Sequence, residues 1–129
     1  MMTATPGVVT LTIPAAPEHV RLARLLAGGV AAQCGLDIDA VEDVRIAIDE
    51  CCHALIGGRP DRGTITLSCS AANDVVRVEG WGDETLSEDG LPPLEALSEA
   101  ILHSVTDTVE FLVRNGHIGF VMTKRGTRG

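Results

Sequence analysis

The chain has 129 residues, enough for one domain that buries roughly 65–70% of its unfolded surface without disulfide or metal staples. Eighteen acidic residues against ten basic ones give a formal charge of −8, which opposes phosphate contacts and argues against direct binding to DNA or RNA. Aromatic residues make up only 2% of a composition that is 45% hydrophobic, so the core is expected from Val, Leu, Ile and Ala, as suits helices packed on a sheet.

No stretch joins a basic flank, an apolar run and a small-residue cleavage site, and no apolar run approaches the ~20 residues of a membrane span. A soluble, cytoplasmic chain is the expectation. Cys34, Cys51, Cys52 and Cys69 show no C-x-x-C spacing, which favours buried reduced thiols over a disulfide framework or a zinc site.

In chain order, residues 1–6 read as a frayed start. Val8 to Ile13 alternates apolar residues with Thr as a half-buried strand does, and Pro14 ends it. Pro17 and Glu18 suit the first turn of a helix that runs to about Gln33, with Val20, Leu22, Leu25, Leu26 and Val30 as its apolar positions. Gly28-Gly29 in that helix points to close approach of another helix or to a local break. Gly35 terminates it.

Asp39 and Glu42 form a capping-box pattern, so a second helix is expected from near Ala40 to Gly57. Its sequence, VEDVRIAIDECCHALI, puts Val41, Val44, Ile48, Cys51, Cys52 and Leu55 on one apolar face. Glu42, Asp43, Arg45, Asp49, Glu50 and His53 fall largely off that face. Asp49 and His53, one turn apart, suit a surface ion pair better than a metal site.

Arg59 to Gly63 is turn chemistry. Thr64 to Ser70 and Val75 to Glu79 then read as a hairpin, followed by a long loop from Gly80 to Pro93. Trp81, the only tryptophan, falls in that loop, either as an exposed interface anchor or folded onto the core. Leu94 to Ser104 is helical, with Leu94, Leu97, Ile101 and either Leu102 or Val105 turned inward. Asn115-Gly116 joins a last hairpin, Thr106 to Arg114 and His117 to Lys124, before a frayed tail at 125–129. The whole describes a single α+β domain, 1–129: a two-layer α/β sandwich whose mixed, mainly antiparallel sheet of about five strands is covered on one face by three helices.

With these elements in place, LTIPAAPEHVRLAR, EDVRIAIDECC and SVTDTVEFLVRNGHIGFVMTKR together resemble the histidine-kinase-like ATPases, and among them the bacterial anti-sigma factors that double as serine protein kinases. The resemblance covers nearly the whole chain, from Val9 to Arg125. It implies ATP and magnesium as cofactors and three nucleotide motifs. In the first, a catalytic Glu is followed one turn later by a magnesium-binding Asn; Glu50 matches the Glu, but Ala54 stands at the Asn, and a methyl group cannot ligate a metal. In the second, D-x-G-x-G holds the base. Gly80 and Gly82 match its glycines, Val78 stands at the Asp, and Glu79 could substitute only by a one-residue slip. The third, a glycine-rich lid, has no good counterpart in residues 88–93.

Three readings follow. The first, implied by the resemblance, is a regulatory protein that binds an alternative sigma factor and is countered by an anti-anti-sigma antagonist of the STAS type, with Trp81 as a candidate partner contact. Its acidic surface could complement basic partner segments. The second is an active serine/threonine kinase in which Glu50 is the base, although Glu50 reads equally well as an acid on the solvated edge of its helix. The third is a homodimerisation module that pairs through the first strand's edge or the Gly28-Gly29 face.

Overall fold

The computed structural model describes residues 2–5, 7–57, 63–85 and 94–126. The strands are β1 (Met2–Thr5), β2 (Val8–Pro14), β3 (Thr64–Ala72), β4 (Val75–Thr85), β5 (Thr108–Arg114) and β6 (His117–Arg125). The helices are α1 (Val20–Gln33), entered through a short 3₁₀ turn at Pro17–His19, α2 (Ile38–Ile56) and α3 (Ala96–Val105). The strands form one sheet in the order β1-β2-β3-β4-β6-β5. Every pairing is antiparallel.

The α+β architecture of a sheet with three helices is as expected, with two differences. The sheet has six strands rather than about five, because residues 2–5 pair with β2 instead of fraying, and no pair among the described strands is parallel. β4 continues through Gly80-Trp81-Gly82-Asp83 to Thr85, so the first part of the expected loop is strand. Residues 86–93 lie outside the described residues, as does the expected turn at 58–62.

Sheet alternation divides the residues cleanly. Ile13, Ile65, Leu67, Cys69, Val76, Val78, Phe120 and Met122 are buried with the helices, while Thr12, Thr66, Ser68, Glu79 and Trp81 belong to the opposite, open face. On α1 the buried positions are Val20, Ala23, Ala27, Gly28 and Ala31. Leu22 and Leu25, expected inside, are 41% and 60% exposed. Small residues face inward here because α1 lies close to α2: a Cβ on Gly28 would stand 3.1 Å from the Arg45 stem. Gly29 has no atom within 4 Å of such a Cβ, and the helix runs unbroken through both glycines.

Gly35, at φ +93°, closes α1 in a Schellman motif: its N–H donates to the Ala32 carbonyl and that of Leu36 to Ala31, both at 3.1 Å. The cap of α2 is Asp37 and not Asp39. The Asp37 carboxylate accepts from the Ala40 N–H at 2.8 Å, and the helix begins at Ile38. Its buried face is Ala40, Val44, Ala47, Ile48, Cys51, Cys52 and Ile56, with Val41 and Leu55 only half-buried. In α3, Leu102 and Val105 point inward, whereas Leu97 is 71% exposed. No helix among the described residues is long and apolar enough to cross a membrane.

Candidate functional site

Asp43, Glu50 and Ala54 are spaced i, i+7, i+11 and therefore share one side of α2. The Lys124 ammonium, reaching from β6, donates to the Asp43 carboxylate at 2.9 Å, so this side overlooks the β6 half of the sheet. The opposite side of α2 faces α1. There the Arg24 guanidinium donates to Asp49, and His53 Nδ1 lies 2.7 Å from the Asp49 backbone carbonyl and 3.7 Å from its carboxylate. Asp49 and His53 thus make the expected local pair, tied to α1 through Arg24. Glu50 is half-buried and takes no hydrogen bond or ion pair from a described residue.

β4 supplies the other half of the expected site. Val78 is fully buried, set between Cys69 on β3 and Met122 on β6. Gly80 and Gly82 share its face. A Cβ added at Gly80 would stand 2.3 Å from Cε1 of Phe120, whereas one at Gly82 would meet only the Ile118 carbonyl, at 3.7 Å. Glu79 points to the open face, away from α2, and cannot take the place of an acceptor beside Val78.

These residues do not fit magnesium and ATP in the way the motifs require. Ala54, where the resemblance places the metal ligand, has no donor. Val78, where the resemblance places the acceptor for the base, is apolar and without solvent access. Among the described residues no three His, Cys, Asp or Glu side chains converge as metal ligands, and the lid candidate at 88–93 lies outside those residues. What remains of the expected set is Glu50, Gly80 and Gly82.

Trp81 is a strand residue rather than a loop anchor. Its indole N–H donates to Glu79 Oε1 at 3.3 Å, and the Arg114 guanidinium sits 4.5 Å from its ring centroid. The ring lies across Gly119, where a Cβ would be 2.3 Å from Cε3. Arg77 donates to the same Glu79 carboxylate, and Arg114 stands 4.0 Å from it. The Arg77 hydrogen bond holds the Glu79 carboxyl below its ordinary value, with Trp81 and Arg114 adding to the effect and partial burial opposing it. Arg77, Arg114 and Gly119 were not singled out from the sequence; strand alternation along β4 and the Asn115-Gly116 register were the signals that bring them together.

Three of the four thiols, Cys51, Cys52 and Cys69, are inert by position. Burial pushes Cys52 and Cys69 up to about 12, and Cys51 well above the usual thiol value. An open groove of about 770 Å³ lies between the C-terminal end of α1 and the β3–β4 turn, lined by Val30, Gln33 and Cys34 among others; it touches none of Glu50, Ala54, Gly80 and Gly82.

No protein-family model matches the chain. Its sequence is similar to proteins named serine-protein kinase RsbW. That of Halalkalibacterium halodurans is 27% identical over 136 aligned residues, covering 92% of this chain and 83% of that protein. That of Listeria monocytogenes is 37% identical over 75 residues, 54% of this chain, and the match spans about half of that relative, 46% of its length. Among solved structures, the RsbU and RsbW domains of a Mycobacterium tuberculosis protein match with a TM-score of 0.69 at 18% identity, over 94% of this chain and 32% of that one.

Proposed function

We propose that this chain, a homologue of the serine-protein kinases RsbW with the fold of an RsbW domain, is an anti-sigma-factor-like regulator. It holds an alternative sigma factor on its surface and yields it when an anti-anti-sigma antagonist of the STAS type competes. One observation carries the choice of binding over chemistry. The likeness runs through the whole fold, while Ala54 stands where the motifs place the metal ligand and buried Val78 where they place the acceptor for the base. Phosphoryl transfer is mostly positioning and charge stabilisation, so without those donors little rate remains to be supplied. The charge of −8 favours encounter with basic partner segments.

A pull-down from the host with the purified chain as bait tests this. A sigma factor or its antagonist is expected among the captured proteins, and failure of both to bind at micromolar concentration would sink the reading.

Glu50 keeps a second reading in play, because it is half-buried, has no described partner and lies on the flank of α2 that overlooks β6. In that reading Glu50 is the base of a kinase that phosphorylates the antagonist using magnesium ATP. Phosphate transfer to a serine of the antagonist that is lost in Glu50→Gln would establish it. A homodimer belongs to either reading. Of the two pairing surfaces considered, Gly28 is buried against Arg45, and the edge of β2 is already taken by β1, which leaves β1 as the edge for gel filtration to test with strand variants.

A further inference from the structure

We infer that partner capture and release by this chain are independent of nucleotide, because the strand that would cradle a base has become core packing. This rests on the regulator reading for its partners and on geometry for the rest.

On the helix-facing side of β4, three positions would have to receive the base: Val78, Gly80 and Gly82. Val78 offers a methyl surface at zero exposure, so neither a direct acceptor nor a bridging water can meet an exocyclic amine there. Over Gly80 the space a ligand would use is filled by Phe120. That ring is itself fully buried and is backed by Phe111, whose centroid lies 6.3 Å away at an interplanar angle of 54°. Gly80 is therefore a glycine because of Phe120, and its bare backbone is closed on that side.

The flank of α2 tells the same story in charge. A metal bridging phosphates takes oxygen ligands from carboxylates, and two of the acids on α2 are already committed, Asp43 to Lys124 and Asp49 to Arg24. Only Glu50 is uncommitted among the described residues near Ala54, and one carboxylate cannot also anchor the base. Exchange between sigma factor and antagonist is then set by their concentrations and dissociation constants, with no covalent reset. The antagonist displaces the sigma factor by mass action and leaves unmodified.

Two measurements on the full chain decide this. In the first, the unfolding midpoint is followed against millimolar ATP and ADP, with magnesium or with EDTA. No shift is expected, and a saturable rise with either nucleotide overturns the inference. In the second, capture of the sigma factor and its displacement by the antagonist are compared after apyrase and EDTA treatment and with magnesium ATP. Equal capture and displacement are expected. A requirement for magnesium ATP, or a phosphorylated antagonist among the products, overturns it. Absence of any captured partner would instead defeat the regulator reading, with the thermal measurement still deciding the nucleotide question.

Discussion

The ring of Phe120 lies against the bare Cα of Gly80, its register partner across β4 and β6, so closely that a methyl group there would stand 2.3 Å from Cε1. The obstructing atom belongs to a ring with no exposure, so it cannot swing into solvent. Gly80→Ala should overpack the core and cost about 1–3 kcal/mol. Phe120→Val should cost stability alone but relieve Gly80→Ala, so the double variant loses less than the sum of the two. Chemical denaturation of the four proteins measures the coupling, expected at roughly 0.5–3 kcal/mol for residues in contact. Simple additivity would show that the ring does not press on Gly80.

Three of the four thiols are closed off by the packing of α2 on the sheet. Cys52 and Cys69 are pushed up to about 12 from an ordinary value of 9.0, because burial disfavours the thiolate. In the native chain a thiol reagent should label Cys34 alone at neutral pH, and all four cysteines once the chain is unfolded. The sign of the linkage also follows. A folded pKa raised above the unfolded one means that the native state keeps its proton longer, so this contribution is intact below about 9 and is lost as pH climbs from there towards 12. Cys52→Ala should flatten part of that alkaline loss in denaturation midpoints, at the cost of a small cavity.

Glu79 behaves in the opposite sense. Its hydrogen bond from Arg77 holds the folded carboxyl below the ordinary 4.5, so the native state holds its proton less tightly than the unfolded chain. Its stabilisation is present above about 4.5 and fades as pH falls through the lowered folded value. Glu79→Gln should therefore lose stability near neutral pH and show a shallower decline in acid. An acid limb identical to that of the parent chain would mean that the Arg77–Glu79–Trp81 cluster is not formed in solution.

Features fixed by neighbouring residues were legible in the sequence. Asn115-Gly116 closes its hairpin with φ of 54° and 81°, and Gly35 ends α1, because turn and cap chemistry is local. The cap of α2 shows how narrow that margin is. Asp37 and Asp39 are both exposed acids at the start of the same helix, and only the backbone path selects Asp37. Features set by a neighbouring element were not legible. Leu22 and Leu25 looked like core by hydrophobicity, but close approach of α2 selects Ala23, Ala27 and Ala31. Gly80, Trp81 and Gly82 looked like a loop because glycine ordinarily punctuates. In the sheet, Gly80 makes room for a ring from β6, and Gly119 on β6 makes room for Trp81. Glu50 and Ala54 stand out only through the resemblance to the histidine-kinase-like ATPases, since helical spacing alone reads Glu50 as a solvated edge, and the packing of Phe120 on Gly80 was not legible because that contact spans forty residues.

The two candidate caps can be separated directly. Asp37→Ala should cost about 1 kcal/mol by leaving the Ala40 N–H without its acceptor, whereas Asp39→Ala should be close to neutral. Urea midpoints of the two single variants make the comparison. Equal losses would mean that the first turn of α2 shifts between the two acids.

Trp81 is the only tryptophan, so its emission reads the open face of the sheet without labelling. The Arg114 guanidinium sits 4.5 Å from the ring centroid, and the ring lies across Gly119. Removing the guanidinium in Arg114→Ala should expose the ring to water and move its emission to the red, with a stability loss of about 0.5–1 kcal/mol. Gly119→Ala should act more strongly, because a Cβ 2.3 Å from Cε3 must lift the indole off the strand and break its hydrogen bond to Glu79. The same signal tests Trp81 as a partner contact. A tryptophan-free partner seated on this face would exclude water from the ring and shift its emission to the blue, and Arg114→Ala would weaken that complex. An emission unchanged at saturating partner would place the bound partner elsewhere, on the helical layer or at a sheet edge.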